Sequence, residues 1–130
     1  MSTDQELIKY WVTTAEHDYG VMLSLFNSKK YDYALFLGHI TLEKILKGLV
    51  VKELGKEAPY IHDLVLLAKT AQLELLENEI QLLDDVNKFN IRARYPEFKL
   101  RFYKQCTKKY AEPYLRRIKE IYKKLCQKLK

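Results

Sequence analysis

The sequence predicts an all-α fold, an up-and-down helical bundle of four long helices plus one short helix, in one domain over residues 1–130. Three observations carry this. Only 4 Gly and 3 Pro occur in 130 residues, too few for the many turns of a β-sandwich. Apolar residues recur at three- and four-residue steps along most of the chain, and no alternating run survives as a strand. The 48% hydrophobic and 31% charged fractions are globular values at a length that suits one core.

The first helix is expected from Thr3, where Thr3-x-x-Glu6 has capping-box spacing. Leu7, Ile8, Trp11, Val12, Ala15, Tyr19, Met22, Leu23 and Phe26 then form an inward stripe of about 24 residues. Asn27-Ser28-Lys29-Lys30 interrupts the pattern and Tyr31-Asp32 opens a second helix. That helix is apolar on nearly every side from Ala34 to Val50, which marks it as central. Gly55 through Pro59 is the longest break. A short third helix follows from His62 or Asp63 through Ala71, with Leu64, Leu67 and Ala68 inward and Asp63 suited to its N-terminus. The fourth is read from about Glu74 to Ile91, with Leu76, Ile80, Leu83, Val86 and Phe89 or Asn90 inward. Pro96 pushes Tyr95 out of helical geometry, so the chain is expected to turn at Arg94-Tyr95-Pro96. The last helix runs through Tyr110, Tyr114, Leu115, Ile118, Ile121, Tyr122, Leu125 and Leu129, starting shortly before Pro113 or kinking there.

The net charge of +6 is unevenly placed. Residues 1–98 carry −4, whereas residues 99–130 carry +10, with only Glu112 and Glu120 acidic there. Such a field attracts nucleic acid, an acidic protein or an acidic face of a second subunit, or is a solvated lysine-rich face. No apolar run approaches the ~18–20 residues of a membrane span. Two cysteines without an apolar leader imply reduced thiols and a cytoplasmic location.

Most catalytic templates are missing: no Gly-rich phosphate loop, no H-E-x-x-H and no C-x-x-C, and no metal or cofactor is expected. His17, His39 and His62 are scattered and read first as surface or hydrogen-bonded histidines. Three constellations remain. Glu43, Lys44 and Lys47 place charge on the otherwise apolar central helix, with Glu43 and Lys47 in ion-pairing order. His62 and Asp63 in Tyr60-Ile61-His62-Asp63 suit a helix cap. Arg92-Ala93-Arg94-Tyr95-Pro96 holds two guanidiniums and a phenol at a helix end, a geometry that suits phosphate. The structural alternative is that an arginine neutralises the helix C-terminus and pairs with Glu43 or Asp18.

Ala15-x-x-Asp18, Tyr31-Asp32-Tyr33-Ala34, Glu43-Lys44-x-x-Lys47, His62-Asp63-Leu64 and Ala93-Arg94-Tyr95-Pro96, in this order, resemble the HEPN family over about residues 5–125. The resemblance implies a helical bundle that commonly forms homodimers, is often encoded beside a minimal nucleotidyltransferase in a toxin–antitoxin-like pair, and is named for proposed nucleotide binding. It points to Lys44, Lys47, Arg94 and Tyr95 as a nucleotide or RNA phosphate surface, with His62 and Asp63 as further candidates; the charge constellations add Arg92 to that surface and Glu43 to the further candidates. Many family members resemble ribonucleases whose motif is an arginine followed four to six residues later by a histidine. Here the last histidine is His62 and the first arginine is Arg92, so that motif is absent at any spacing. The leading expectation is therefore a non-catalytic interaction module that pairs with a nucleotidyltransferase. The alternative is a metal-independent endoribonuclease with an altered site built on Arg92 or Arg94 with Tyr95 or His62. A third reading is RNA binding by the basic last helix, where Tyr103, Tyr110, Tyr114 and Tyr122 alternate with Lys and Arg, although their helical spacing also suits the core.

Overall fold

The computed structural model describes residues 3–130; Met1 and Ser2, which the expected domain includes, lie outside the described residues. Among the described residues there are six helices and no strand: α1 (Asp4–Asn27), α2 (Tyr31–Leu54), α3 (Leu64–Thr70), α4 (Glu77–Arg94), α5 (Pro96–Gln105) and α6 (Lys108–Lys128). Several starts have a local cause. Thr3 caps α1 by accepting from the Glu6 amide at 3.1 Å, Asp63 caps α3 by accepting from Val65 and Leu66, and Thr107 caps α6 by accepting from Tyr110 at 3.2 Å. Gly55 ends α2 in the left-handed region at φ 66°, where a side chain would be strained.

α2 packs against all five other helices, as its all-round apolarity predicts. Leu35, Leu42, Ile45, Leu46 and Val50 are fully buried there. α1 folds back antiparallel on it, pairing Phe26 with Tyr31 near the turn, Asp18 with Lys44 midway, and Trp11 with Gly48 further on. α6 runs parallel to α2: a Cβ on Gly38 would lie 2.9 Å from Ile118 Cδ1, and Lys52 reaches the Lys128 carbonyl at 2.7 Å. α4 runs antiparallel to α6, joined by Lys124–Glu79 at one end and Phe89 against Tyr114 at the other. The four long helices thus form the expected up-and-down core.

Two details depart from the sequence reading. Pro96 does not merely break the chain but is the first residue of a further helix, α5. Proline is well placed there, because the amide it lacks is one that a first turn leaves unpaired. α4 begins at Glu77 rather than Glu74, with Glu79 folding back to accept from the Leu76 amide at 2.8 Å. Leu76 is therefore exposed rather than inward. α6 begins at Lys108, before Pro113 as the first of the two alternatives had it, and the proline is tolerated within its second turn. No described helix is long and apolar enough to cross a membrane.

Candidate functional site

His39, Glu43 and Lys47 follow one another at four-residue steps, so α2 presents them on one face. That face meets the α3 N-terminus and the end of α4, and the polar groups on it form a continuous chain. Arg94 Nη1 donates to Asn90 Oδ1 at 3.3 Å, which orients the amide so that Asn90 Nδ2 donates to His39 Nδ1 at 2.9 Å. With Nδ1 accepting, His39 carries its proton on Nε2 and donates it to the His62 carbonyl at 2.9 Å. His39 is 1% exposed, and this burial lowers its pKa below the ordinary 6.5 against the opposing pull of Glu43. It is a neutral strut.

Glu43 is the second hub. Its carboxylate accepts from His62 Nδ1 at 3.0 Å and from Lys47 Nζ at 3.0 Å. The His62 side chain is 67% exposed; the Glu43 carboxylate engages its Nδ1, and Nε2 has no partner among the described hydrogen bonds. Asp63 completes the wall: its Oδ1 caps α3 and accepts from Asn87 Nδ2 at 2.9 Å, and Asn87 Oδ1 accepts from the Leu64 amide. Between these groups lies a pocket of about 320 Å³ lined by His39, His62, Asp63, Asn87, Asn90 and Ile91. Chemically it offers a carboxylate-backed imidazole and a nearby guanidinium. Among the described residues, no group of three or more His, Cys, Asp or Glu side chains is placed to hold a metal ion.

The eight sequence candidates divide. Glu43, Lys47, His62, Asp63 and Arg94 are joined in or beside this network. Lys44 faces α1, with Nζ 2.6 Å from Asp18 Oδ2. Lys44 and Lys47 each already have a carboxylate, and neither Glu43 nor Asp18 pairs with an arginine as the structural alternative required. Arg92 is half-buried on another side of α4, where its charge bears on Cys106 and Tyr110. Tyr95 is extended and half-exposed before Pro96. Sequence reasoning missed His39 and Asn90 as members of the site. The His39-x-x-x-Glu43-x-x-x-Lys47 spacing was a usable signal for the first, and a polar residue at an inward α4 position one turn before Arg94 was a signal for the second.

The bundle that carries this network has a known counterpart. The crystal structure of TT1696 from Thermus thermophilus superposes with a TM-score of 0.78 at 21% identity, over 93% of this chain and 97% of that one, so the fold is shared. The chain belongs to the HEPN domain family, whose model matches residues 8–129. No curated protein matches the chain at a significant level.

Proposed function

We propose that this HEPN protein is a cytoplasmic, non-catalytic interaction module that forms a homodimer, pairs with a minimal nucleotidyltransferase in a toxin–antitoxin-like system, and holds a nucleotide or RNA phosphate beside Arg94. The observation that carries the binding part is the state of Arg94. It is exposed at the end of α4, anchored by one Nη1 bond to Asn90, and has no carboxylate partner among the described ion pairs. A guanidinium fixed by a neutral amide keeps its charge and most of its donors for a ligand. Arg94→Ala is expected to weaken nucleotide binding by roughly 1.5–3 kcal/mol without unfolding the protein, read by calorimetry and circular dichroism. The dimer part rests on the exposed face around α5, where Tyr33, Pro96, Leu100 and Tyr103 line a groove of about 520 Å³ with Asp32 and Lys99. A purely monomeric species in sedimentation at micromolar concentration would refute it.

One observation favours the endoribonuclease as a second reading. His62 backed by Glu43 has the form of a general base, with Nε2 free to take the proton of a ribose 2′-hydroxyl while Arg94 faces the phosphate charge. In that case His62→Ala lowers cleavage of single-stranded RNA by roughly 10²–10⁴-fold, with wild-type activity proportional to purified protein. An unchanged trace activity in His62→Ala would assign the cleavage to a contaminant.

A further inference from the structure

A second cavity, of about 280 Å³, lies between the first turns of α1 and the segment that leads from α2 to α3; Tyr10, Trp11, Lys47, Glu57, Pro59 and Tyr60 are among its lining residues. Two of its features leave binding capacity that the fold does not use. Lys47 is only 5% exposed, yet its ammonium gives one described hydrogen bond, to Glu43, and otherwise rests 5.4 Å from the Trp11 ring centroid. An ammonium has three donors, and a buried polar group with donors to spare calls for acceptors. Tyr60 is 100% exposed and Tyr10 more than half exposed, so neither ring's surface is spent on the core.

We infer that this cavity is a subsite for a guanine base. Lys47 supplies donors to the adjacent acceptors O6 and N7, Glu57 accepts from the N1–H and N2 amino group, and Tyr60 gives a face on which the ring stacks. Adenine places an amino group where guanine has O6, against the lysine, and offers the carboxylate no paired donors. The volume of about 280 Å³ lies just below the ~300–1,000 Å³ of drug-sized ligand sites, which suits one base rather than a larger cofactor. The cavity also lies close to the pocket lined by His39 and His62, because Lys47 and His62 meet on the same Glu43 carboxylate. The inference rests on the proposed phosphate reading only for the ligand's phosphate; the base subsite stands without it.

Trp11 is the chain's only tryptophan and lines the cavity, so its fluorescence reports occupancy directly. The full chain is titrated with guanosine, adenosine and guanosine monophosphate. Guanosine is expected to change the Trp11 signal saturably, with an affinity roughly tenfold above that of adenosine. Glu57→Gln, a change at an exposed residue, abolishes that preference, and Tyr60→Ala weakens both nucleosides. Equal affinity for the two nucleosides, or no response to guanosine at millimolar concentration, overturns the guanine subsite whatever happens at Arg94. The monophosphate binds more tightly than guanosine in the wild-type chain, and Arg94→Ala removes that gain while leaving guanosine affinity unchanged. Guanosine binding with no gain from the phosphate upholds the subsite and removes the phosphate reading instead.

Discussion

The face where α2, α3 and α4 meet and the outer face of α6 treat charge in opposite ways. On the first, Glu43 and Lys47 are buried, and each polar group is held by a named partner on another turn or another helix. On the second, the basic residues are mostly solvated, and only Lys124 to Glu79 and Arg117 to the Asn78 carbonyl tie the helix back to α4. The tyrosines of α6 follow the core rather than the charge: Tyr122 stacks on Tyr19 with centroids 4.4 Å apart, and Tyr110 and Tyr114 pack around Phe89. A dense run of like charge therefore sets a field, whereas a few matched charges on an apolar helix mark a built site.

That contrast breaks most visibly at Glu43. Glu43→Ala leaves Lys47 buried without its counter-ion and is expected to cost about 3–5 kcal/mol in urea unfolding. Wild-type stability in this variant would place the pair on the solvated side of the comparison. Asn90→Ala removes the amide between Arg94 and His39 and strands a buried ring nitrogen, an expected loss of about 1–3 kcal/mol. The same variant lowers ligand affinity if Arg94 needs the anchor.

Acidification sharpens the difference further. Burial lowers the folded pKa of His39 below 6.5, so the unfolded chain binds its proton more readily than the native one. The contribution of His39 is complete above about pH 6.5 and is lost as the pH falls below that value. A His39→Gln variant should show a flatter stability profile below neutrality, and an unchanged profile would mean that the ring does not titrate between the two states.

Smaller effects are expected at the edges. Asp63→Ala removes the α3 cap and costs about 1 kcal/mol, with added loss if the Asn87 bond matters independently. Arg116→Gln or Lys123→Gln on α6 should change stability by less than about 0.5 kcal/mol. If RNA binds this face, the same substitutions reduce the dependence of affinity on salt. A large loss of stability on neutralising them would show that α6 belongs with the matched charges after all.

The sequence made legible whatever depends on neighbours along one helix. The Thr3 cap, the Glu43–Lys47 pair and the Asp63 cap follow from spacings of four residues or fewer, and the central position of α2 follows from the all-round apolarity of that one helix. What it concealed depends on partners far along the chain. His39 on an apolar helix reads as an ordinary core histidine until Asn90 and the His62 carbonyl are seen to hold both ring nitrogens. Asn90 and Phe89 were interchangeable as inward residues, and in the fold both are buried, one for its amide and one for its ring. The helix α5 escaped notice because only Phe102 among its residues is buried, so its apolar pattern is too sparse to declare a period.

The α1–α2 hairpin closes through the short connection at residues 28–30, whereas the bonds of His39 to His62 and Asn90 span 23 and 51 residues. Short loops close early because little chain entropy opposes them, and distant contacts form only after the intervening chain is ordered. Folding is thus expected to nucleate on the hairpin and to seal the polar network after the barrier. In a chevron experiment, thinning the hairpin with Met22→Ala should slow folding, while Asn90→Ala should leave the folding arm in place and raise the unfolding arm. The polar face is then what keeps the native state from opening, and its bonds govern how long each folded molecule persists.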